Sequence, residues 1–230
     1  MLKTAWRSIT KAKSLSIIHI SGLAIAIATA TVLFLTAMFE LSYDNFHKYG
    51  DRIGLLYNHS QPVTGDKFNS SMPVPLAPQL KASIPSIEAV TRFAHENLIL
   101  KNGDKEIVSM NRFVDPDFFQ IFSFPFINGN ENSLSELNGI VLTSSMANNL
   151  FGKTEVIGKS IQANINGEWR VFQVSAVTQD VPKNSTLEYN SLMRFENKPG
   201  YQILLDLWDN QNHEVYVKVK GEKIDDQTFT

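Results

Sequence analysis

A run of 26 residues without a charged side chain, residues 14–39, constrains the fold of this chain more than any other feature. As an α-helix rising about 1.5 Å per residue, the run would be roughly 39 Å long, which exceeds the roughly 30 Å of a bilayer's hydrocarbon core. The competing interpretation is a cleaved signal peptide, whose apolar region is about 7–15 residues long and ends at a small-residue cleavage site. This run is longer and ends in Phe39-Glu40-Leu41. The sequence therefore predicts a transmembrane helix over residues 14–39.

The distribution of charge predicts the orientation of this helix. Every charged residue before residue 40 is basic, and all 23 acidic residues follow. Because basic residues remain on the cytoplasmic side of a membrane, residues 1–13 are predicted to be cytoplasmic and residues 40–230 to lie in the periplasm of a bacterium with an inner membrane. The net charge of −2 argues against a nucleic-acid-binding protein. The absence of cysteine excludes disulfides, thiolate zinc sites and cysteine nucleophiles.

The first 13 residues have the pattern of a short amphipathic helix lying in the cytoplasmic membrane interface. Leu2, Trp6 and Ile9 fall on one helical face, which would place the Trp6 ring at the level of the lipid headgroups. A disordered basic segment is the alternative. The candidate membrane-interface residues are Trp6, Lys3, Arg7 and Lys11.

Small residues recur at every fourth position within the apolar run. Gly22, Ala26 and Ala30 would share one face of the helix. Because small side chains let a second helix approach closely, these three are the candidate helix-packing residues.

Beyond the apolar run, the sequence predicts a stalk and one mixed α+β domain. Phe39, Tyr43 and Phe46 have helical spacing, so residues 40–50 are predicted to continue the helix as a stalk. Residues 51–230 alternate short helices and strands without an internal repeat, and the tail has the pattern of a helix that is cut off. The predicted elements are helices over 75–83, from 116 and over 144–151, and strands near 52–59, 89–100, 106–114, 124–127, 140–142, 161–164, 168–178, 187–194 and 214–220.

Two Asn-Gly pairs predict β-hairpins within this domain. Asn102-Gly103 lies between the second and third predicted strands, and Asn166-Gly167 lies between the strands near 161–164 and 168–178. Asn and Gly tolerate the positive φ angles that a two-residue hairpin turn requires.

The stretch ANNLFGKT, residues 147–154, matches a relaxed phosphate-loop pattern. In a true phosphate loop, Gly-Lys-Thr opens a helix, so that backbone N–H groups point at the phosphates. Here Met146, Leu150 and Phe151 place the helix before the glycine. We therefore interpret Gly152 as a left-handed helix cap, and Gly152, Lys153 and Thr154 as a pattern that binds no nucleotide.

No other pattern in the sequence predicts an enzyme. The histidines are scattered without metal-ligand spacing such as H-E-x-x-H, and no G-x-S-x-G is present. Asp115 and Asp117 form an acidic pair, but Asp115-Pro116 is typical of a helix N-cap. The aromatic residues within 118–126 could form a binding patch, although core packing is the interpretation that we favour. No catalytic or metal-binding residue is predicted.

Six sequence blocks point to a known family. The first block, ELSYDNFHKYGDRI, directly follows the apolar run. The other blocks are PLAPQLKASIPSIEAVTRF, VDPDFFQIFSFPFINGN, IVLTSSMANNLFG, VIGKSI and VFQVSAVTQDVPKNSTLEYN. In this order the blocks resemble the MacB/FtsX-like permeases of ABC transporters, especially the long Bacteroidetes members. The resemblance covers residues 3–220 and departs from the family at Val156, where relatives often have proline.

The resemblance implies a fold, a function and partners. Residues 51–230 would be a MacB-like periplasmic core domain, built from porter-like βαβ units and a β-rich subdomain and truncated at its C-terminus. The chain would be the N-terminal part of a non-catalytic permease subunit that works as a homodimer or heterodimer in an export or mechanotransmission complex. A separate cytoplasmic ATPase subunit would bind and hydrolyse ATP, and this chain would bind no cofactor. Other expected partners are membrane lipid and either a periplasmic adaptor or a lipoprotein or peptide substrate.

An alternative function remains at this point. The later membrane helices of such permeases are absent from the sequence. A chain of this kind could instead be a single-pass, membrane-anchored binding or scaffold domain without transport activity.

Overall fold

The computed structural model describes residues 13–60, 67–221 and 223–224. The chain divides into two compact units, with the boundary between Tyr43 and Asp44. The first unit contains one long helix, and the second is an α+β domain.

The first unit contains helix α1, Lys13–Glu40, which is 28 residues long. Its segment Ser16–Glu40 reaches a mean hydropathy of 2.1 and is long and apolar enough to cross a membrane. Large apolar side chains are exposed on all sides of the helix, a pattern that suits surrounding lipid rather than water. The hydroxyl of Thr29 donates to the carbonyl of Ile25 at 2.9 Å, so this polar group is satisfied within the helix.

The prediction that the helix continues to residue 50 as a stalk is wrong. The regular helix ends at Glu40, and residues 41–46 form turns. Asp44 has a φ of 55°, in the left-handed region that does not continue an α-helix. The helical spacing of Phe39 and Tyr43 survives only as an edge-to-face ring contact at 5.5 Å.

The second unit contains twelve strands within the described residues. They are β1 Ile53–Leu55, β2 Asn58–Ser60, β3 Lys67–Asn69, β4 Met72–Pro73, β5 Ile87–Asn102, β6 Lys105–Val114, β7 Phe126–Asn128, β8 Gly139–Thr143, β9 Ser160–Ile165, β10 Glu168–Thr178, β11 Ser191–Arg194 and β12 Gln211–Val219.

Six of these strands form a closed ring of hydrogen-bonded pairs. The order is β5, β6, β11, β8, β10 and β9, and β9 pairs again with β5. Strand β12 continues the sheet from β5 and carries β1 and β4, whereas β7 is added beside β10. Strands β2 and β3 form a separate two-stranded sheet.

Four helices accompany the strands in the second unit: α2 Leu76–Ser83, α3 Phe118–Ile121, α4 Ser144–Phe151 and α5 Tyr201–Leu204, with single 3-10 turns at Gly50–Arg52, Glu131–Leu134 and Phe195–Asn197. Strands β8 and β10 are parallel neighbours, and both α4 and β9 lie between them in the chain, so the crossover from β8 through α4 reaches β10 by way of the β9–β10 hairpin. This mixed arrangement confirms the predicted α+β fold.

The predicted hairpins are confirmed. Asn166 and Gly167 both have positive φ angles, 53° and 87°, as a two-residue turn between β9 and β10 requires. Gly103, with a φ of 60°, lies in the turn between β5 and β6.

Two predicted strands differ from the structure. The strand expected near 52–59 is two short strands, and the strand expected near 187–194 begins only at Ser191. Upstream of Ser191, the amide of Leu187 is bonded to the hydroxyl of Ser185 rather than to a neighbouring strand. The helical turns between residues 195 and 204 were not predicted, and most of the tail expected to begin a helix lies outside the described residues.

Two large apolar cores lie on opposite sides of the sheet. The first contains inward-facing residues of the ring and the buried face of α4, formed by Met146, Ala147 and Leu150. The second is mainly aromatic and includes Phe93, Tyr189 and most of the predicted aromatic cluster. Phe118, Phe119, Phe122 and Phe124 are at most 8% exposed, and Phe126 packs against them partly buried. Core packing, rather than a binding patch, is therefore confirmed for this cluster.

Candidate functional site at the start of the α+β domain

The segment Asp44–Gly50 begins the second unit only three residues after α1 ends, and we call it the junction segment. Its first residue is anchored to a loop far away in the sequence. The Asp44 carboxylate accepts hydrogen bonds from the Thr186 amide at 3.0 Å and from the Thr186 hydroxyl at 2.6 Å. The Asp44 amide donates to the carbonyl of Asn184 at 2.9 Å. These three bonds hold the start of the domain to residues 184–186.

The second anchor of the junction segment is His47, whose side chain is only 4% exposed. Its Nδ1 accepts a hydrogen bond from the Ser123 amide at 3.1 Å. A neutral imidazole that accepts at Nδ1 carries its proton on Nε2. The ring packs against Phe46, Phe122 and Phe124, with centroid distances of 4.2, 5.1 and 5.3 Å.

The surroundings of His47 favour the neutral ring. Burial lowers the pKa of His47, and the Asp44 carboxylate, with Oδ1 4.0 Å from Nε2, raises it by a smaller amount. Within the described part of the chain, Nε2 has no hydrogen-bond partner. The histidine is therefore a packed, uncharged anchor at neutral pH.

Tyr49 provides a third anchor near the end of the segment. The ammonium group of Lys218 lies 4.0 Å from the centre of the Tyr49 ring. Lys218 is itself 4% exposed, and it donates to the carbonyl of Gln120 at 2.9 Å and pairs with Glu88 at 2.8 Å. The Tyr49 ring is thereby fixed over a cation of strand β12.

The junction segment also borders a partly enclosed cavity of about 270 Å³. Asp44 and His47 line one part of it, and Phe122, Leu187 and the Tyr216 ring line the rest with apolar surface. Together with the three anchors, this arrangement makes the junction segment an integral part of the domain.

The phosphate-loop pattern has the geometry predicted for a helix cap. Helix α4 precedes the glycine, and Gly152 has a φ of 74° with its amide bonded to Asn148 at 2.8 Å. At the other end of α4, the Ser145 amide donates to Asp180 at 2.8 Å. Burial alone would raise the pKa of Asp180, but hydrogen bonds, chiefly from Ser145, lower it overall. The helix end that could bind a phosphate is thus occupied by a carboxylate, far along the helix from Lys153.

The other predicted site residues are placed as follows. Gly22, Ala26 and Ala30 lie at four-residue spacing on α1, and the space beside Gly22 is open. Their role in helix packing stays a prediction. Trp6, Lys3, Arg7 and Lys11 lie outside the described residues.

The interpretation of Asp115 as a helix N-cap is wrong. Its carboxylate pairs with the guanidinium of Arg92, with Nε 2.9 Å from Oδ2, and also accepts from the Arg92 amide at 2.7 Å. The guanidinium carbon of Arg92 lies 4.0 Å from the centre of the Phe195 ring. The Asp115 carboxylate is bonded to a buried arginine, which would otherwise be an unpaired buried charge, and it is therefore not available to cap α3.

Sequence reasoning also missed the partners of the junction segment. Thr186 is 142 positions from Asp44, and no local pattern connects the two. The local signal nearest to these contacts is the dense run of aromatic residues that follows Asp115, of which Phe122 and Phe124 pack against His47.

Fold and site together define a class of protein. A long apolar helix precedes an α+β domain that is anchored at its first residue, and no group of three or more metal-ligating side chains occurs among the described residues. These features define a membrane-anchored α+β domain whose first residues are hydrogen-bonded and packed into the rest of the domain.

Comparison with known families identifies the group. The model of the MacB-like periplasmic core domain matches residues 16–228. The chain belongs to this family, that of the MacB/FtsX-like permeases of ABC transporters, which confirms the resemblance drawn from the sequence. Family and helix together indicate a membrane-anchored protein with an extracytoplasmic domain.

Solved structures agree on the fold. A domain of a protein assigned as a permease from Porphyromonas gingivalis is 22% identical, with a TM-score of 0.61 and coverage of 76% of each chain. The periplasmic region of MacB from Actinobacillus actinomycetemcomitans is 16% identical, with a TM-score of 0.51 and coverage of 77% of this chain and 78% of that one. No curated protein sequence matches the chain.

Proposed function

We propose that this chain is the N-terminal part of a permease subunit in an ABC-type export or mechanotransmission complex. A separate cytoplasmic ATPase subunit hydrolyses ATP, and the motion reaches the external domain through α1 and the junction segment. In this proposal the chain has no catalytic role and binds no nucleotide of its own. Family membership supports the assignment to a permease.

The observation that carries the mechanical part is the anchoring of Asp44. From Glu40 to Asp44 there are four Cα–Cα steps, at most about 14 Å of extended chain. A connection this short has little slack, so a displacement of the helix end is delivered to Asp44. The bonds from Asp44 to Thr186 and Asn184 then pass the load into the domain.

We propose an orientation with residues 1–13 in the cytoplasm and the external domain in the periplasm, outside the inner membrane. The chain has no native cysteine, so single cysteines can be labelled without background. In intact spheroplasts, a membrane-impermeant maleimide should label Lys153→Cys and should label Ala5→Cys only after permeabilisation. Labelling of Ala5→Cys alone in intact spheroplasts would contradict this topology.

The proposed ATPase partner can be tested by affinity purification of the tagged polypeptide from its native membrane in mild detergent. Mass spectrometry should identify an ABC ATPase in near-stoichiometric amount. Preparations that retain the domain but repeatedly lack an ATPase would favour the anchored scaffold function instead.

Pairing between permease copies can be tested on α1. Gly22→Leu and Ala26→Leu should reduce cross-linking between copies or between related permeases in the membrane, because larger side chains prevent close helix approach. Leu23→Ala, on a different helical face, is the control. Equal cross-linking of all variants would remove these residues from the interface.

A further inference from the structure

An open cleft of about 500 Å³ lies away from the junction segment, on the outer face of β5 and β6. Two cross-strand pairs form its floor: His95 opposite Arg112, and Asn97 opposite Met110. Glu96 completes the lining. Because directly opposite residues share one face of a sheet, these side chains present a small, continuous patch.

Arg112 is the unusual member of this patch. It is only 6% exposed, although it is charged. Its Nη1 donates to the carbonyl of Asn111 at 3.0 Å, whereas its buried Nε has no hydrogen-bond partner within the described part of the chain. The other well-buried arginine, Arg92, has a carboxylate partner in Asp115. Arg112 makes no ion pair of this kind with any described residue.

The unpaired edge of Arg112 has a definite chemistry. Nε and Nη2 form the edge of a guanidinium that binds both oxygens of a carboxylate in a two-bond fork. Burial lowers the pKa of Arg112, and the more distant carboxylates of Glu188 and Glu214 raise it by smaller amounts. The centre of the Phe93 ring lies 5.8 Å from the guanidinium carbon of Arg112. A desolvated cation without a carboxylate partner is nevertheless costly, so an incoming carboxylate would offset part of a cost that the folded domain already carries.

No described carboxylate is hydrogen-bonded to the buried Nε of Arg112. Glu214 accepts a hydrogen bond from the Tyr216 hydroxyl at 2.9 Å. Burial and the Arg112 charge both lower the pKa of His95, so its ring is uncharged at neutral pH. Glu188 is exposed and is the internal carboxylate that could compete for Arg112.

The cleft is longer than a single carboxylate needs. Met110 also lines a second cleft of about 360 Å³, whose other residues include Lys183, Glu188 and Asn190. Met110 therefore lines both clefts.

We propose that Arg112 binds the carboxylate of an elongated molecule, either an organic acid or a peptide C-terminus, that lies in these two clefts. Arg112 supplies the charged fork, and Asn97 supplies an amide group along the molecule. Asn190 supplies only its Nδ2 donor, because its Oδ1 accepts a hydrogen bond from the Met110 amide at 3.2 Å. Met110 adapts its flexible side chain between them. The site is separate from the junction segment and does not depend on the proposed coupling to an ATPase.

The test uses the full chain in lipid nanodiscs with ¹⁵N-labelled arginine, observed through the side-chain Nε–H signals. The signal that Arg112→Gln removes identifies Arg112, and Arg170→Gln on the exposed surface is the matched control. The probes are acetate, glutarate, and tetra-alanine with either a free or an amidated C-terminus, and sodium chloride serves at equal ionic strength.

Carboxylate probes should shift the Arg112 signal in a saturable way, whereas chloride should not. Stronger binding of glutarate would indicate an organic acid, and stronger binding of free over amidated tetra-alanine would indicate a peptide C-terminus. Arg112→Lys should weaken binding about tenfold, because a lysine lacks the fork. Glu188→Gln should tighten binding, because it removes the internal competitor.

Two results would overturn the proposal. One is the absence of a saturable shift with every carboxylate probe, or an equal shift with chloride. The other is a lower melting temperature of Glu188→Gln together with unchanged probe binding, which would make Glu188 the structural partner of Arg112. Arg112→Gln itself should melt at or above the wild-type temperature, since it removes an unpaired buried charge.

Discussion

Replacing Asp44 by alanine should loosen the junction segment while the rest of the domain stays folded. The change removes the acceptor for both the amide and the hydroxyl of Thr186. A hydrogen bond to a charged group contributes about 1.5–3 kcal/mol. Because the Asp44 side chain is 31% exposed, we take the lower end, about 1.5 kcal/mol, which corresponds to about a tenfold change in the local opening equilibrium.

Hydrogen exchange on the full chain in nanodiscs measures this opening. In Asp44→Ala, the amides of His47, Lys48 and Thr186 should exchange about tenfold faster. Amides of the central strand β8 should be unaffected. Asp44→Asn is the matched variant: it keeps an acceptor oxygen without the charge, so its exchange should be intermediate.

A double-mutant cycle assigns the effect to the contact itself. Thr186→Val removes only the hydroxyl bond, so Asp44→Ala and Thr186→Val together should cost less than the sum of the two single changes. Unchanged exchange of the Lys48 and Thr186 amides in Asp44→Ala would refute the reasoning, because it would mean that Asp44 does not hold the junction segment.

Three further predictions concern stability and nucleotide binding. Burial, followed by the charges of Arg92 and Lys198, lowers the pKa of His213 to about 3. Because the unfolded chain therefore binds the proton at higher pH than the folded chain, the stability of the domain should fall as the pH drops from about 6.5 towards 3. Urea titrations of His213→Gln should show a flatter pH dependence of stability than those of the wild type, and equal slopes for both proteins would contradict this. Gly129→Ala should lower stability by more than about 2 kcal/mol, because a Cβ there would lie 2.9 Å from the Ala176 Cα and the residue has a φ of +95°. Gly152→Ala should cost only about 1 kcal/mol, because Gly152 has a φ of +74° but lies in open space. Similar melting temperatures for the two variants would be inconsistent with this difference. A fluorescent ATP analogue should bind neither the wild type nor Lys153→Ala, and saturable binding that Lys153→Ala abolishes would restore the phosphate-loop interpretation.

Local signals made the turns and the helix α4 predictable. Asn166-Gly167 and Gly152 act through their own backbone conformations, so neighbouring residues suffice to recognise them. The stalk prediction failed because the helical spacing of Tyr43 and Phe46 is a local pattern, whereas Asp44 is held in the left-handed conformation beside Asn184 and Thr186.

The candidate sites depend on contacts between distant parts of the chain. The pairing of β9 with β5 closes the ring, and nothing in either segment specifies that partner. In the sequence, Arg92 and Arg112 look alike, because each is an arginine within a predicted strand. In the structure, only Arg92 of these two forms an ion pair with a carboxylate. Such differences arise from packing and become visible only once the strands are placed.

The measurement that tests the central claim most directly is hydrogen exchange of the purified permease–ATPase assembly with and without ATP and vanadate. If ATP-driven motion passes through the junction segment, trapping the nucleotide should change the protection of residues 44–50 and 184–187, and Asp44→Ala should abolish the change in the loop while ATPase activity persists. Identical protection of both segments in the trapped and nucleotide-free assemblies, in the wild type, would contradict the account.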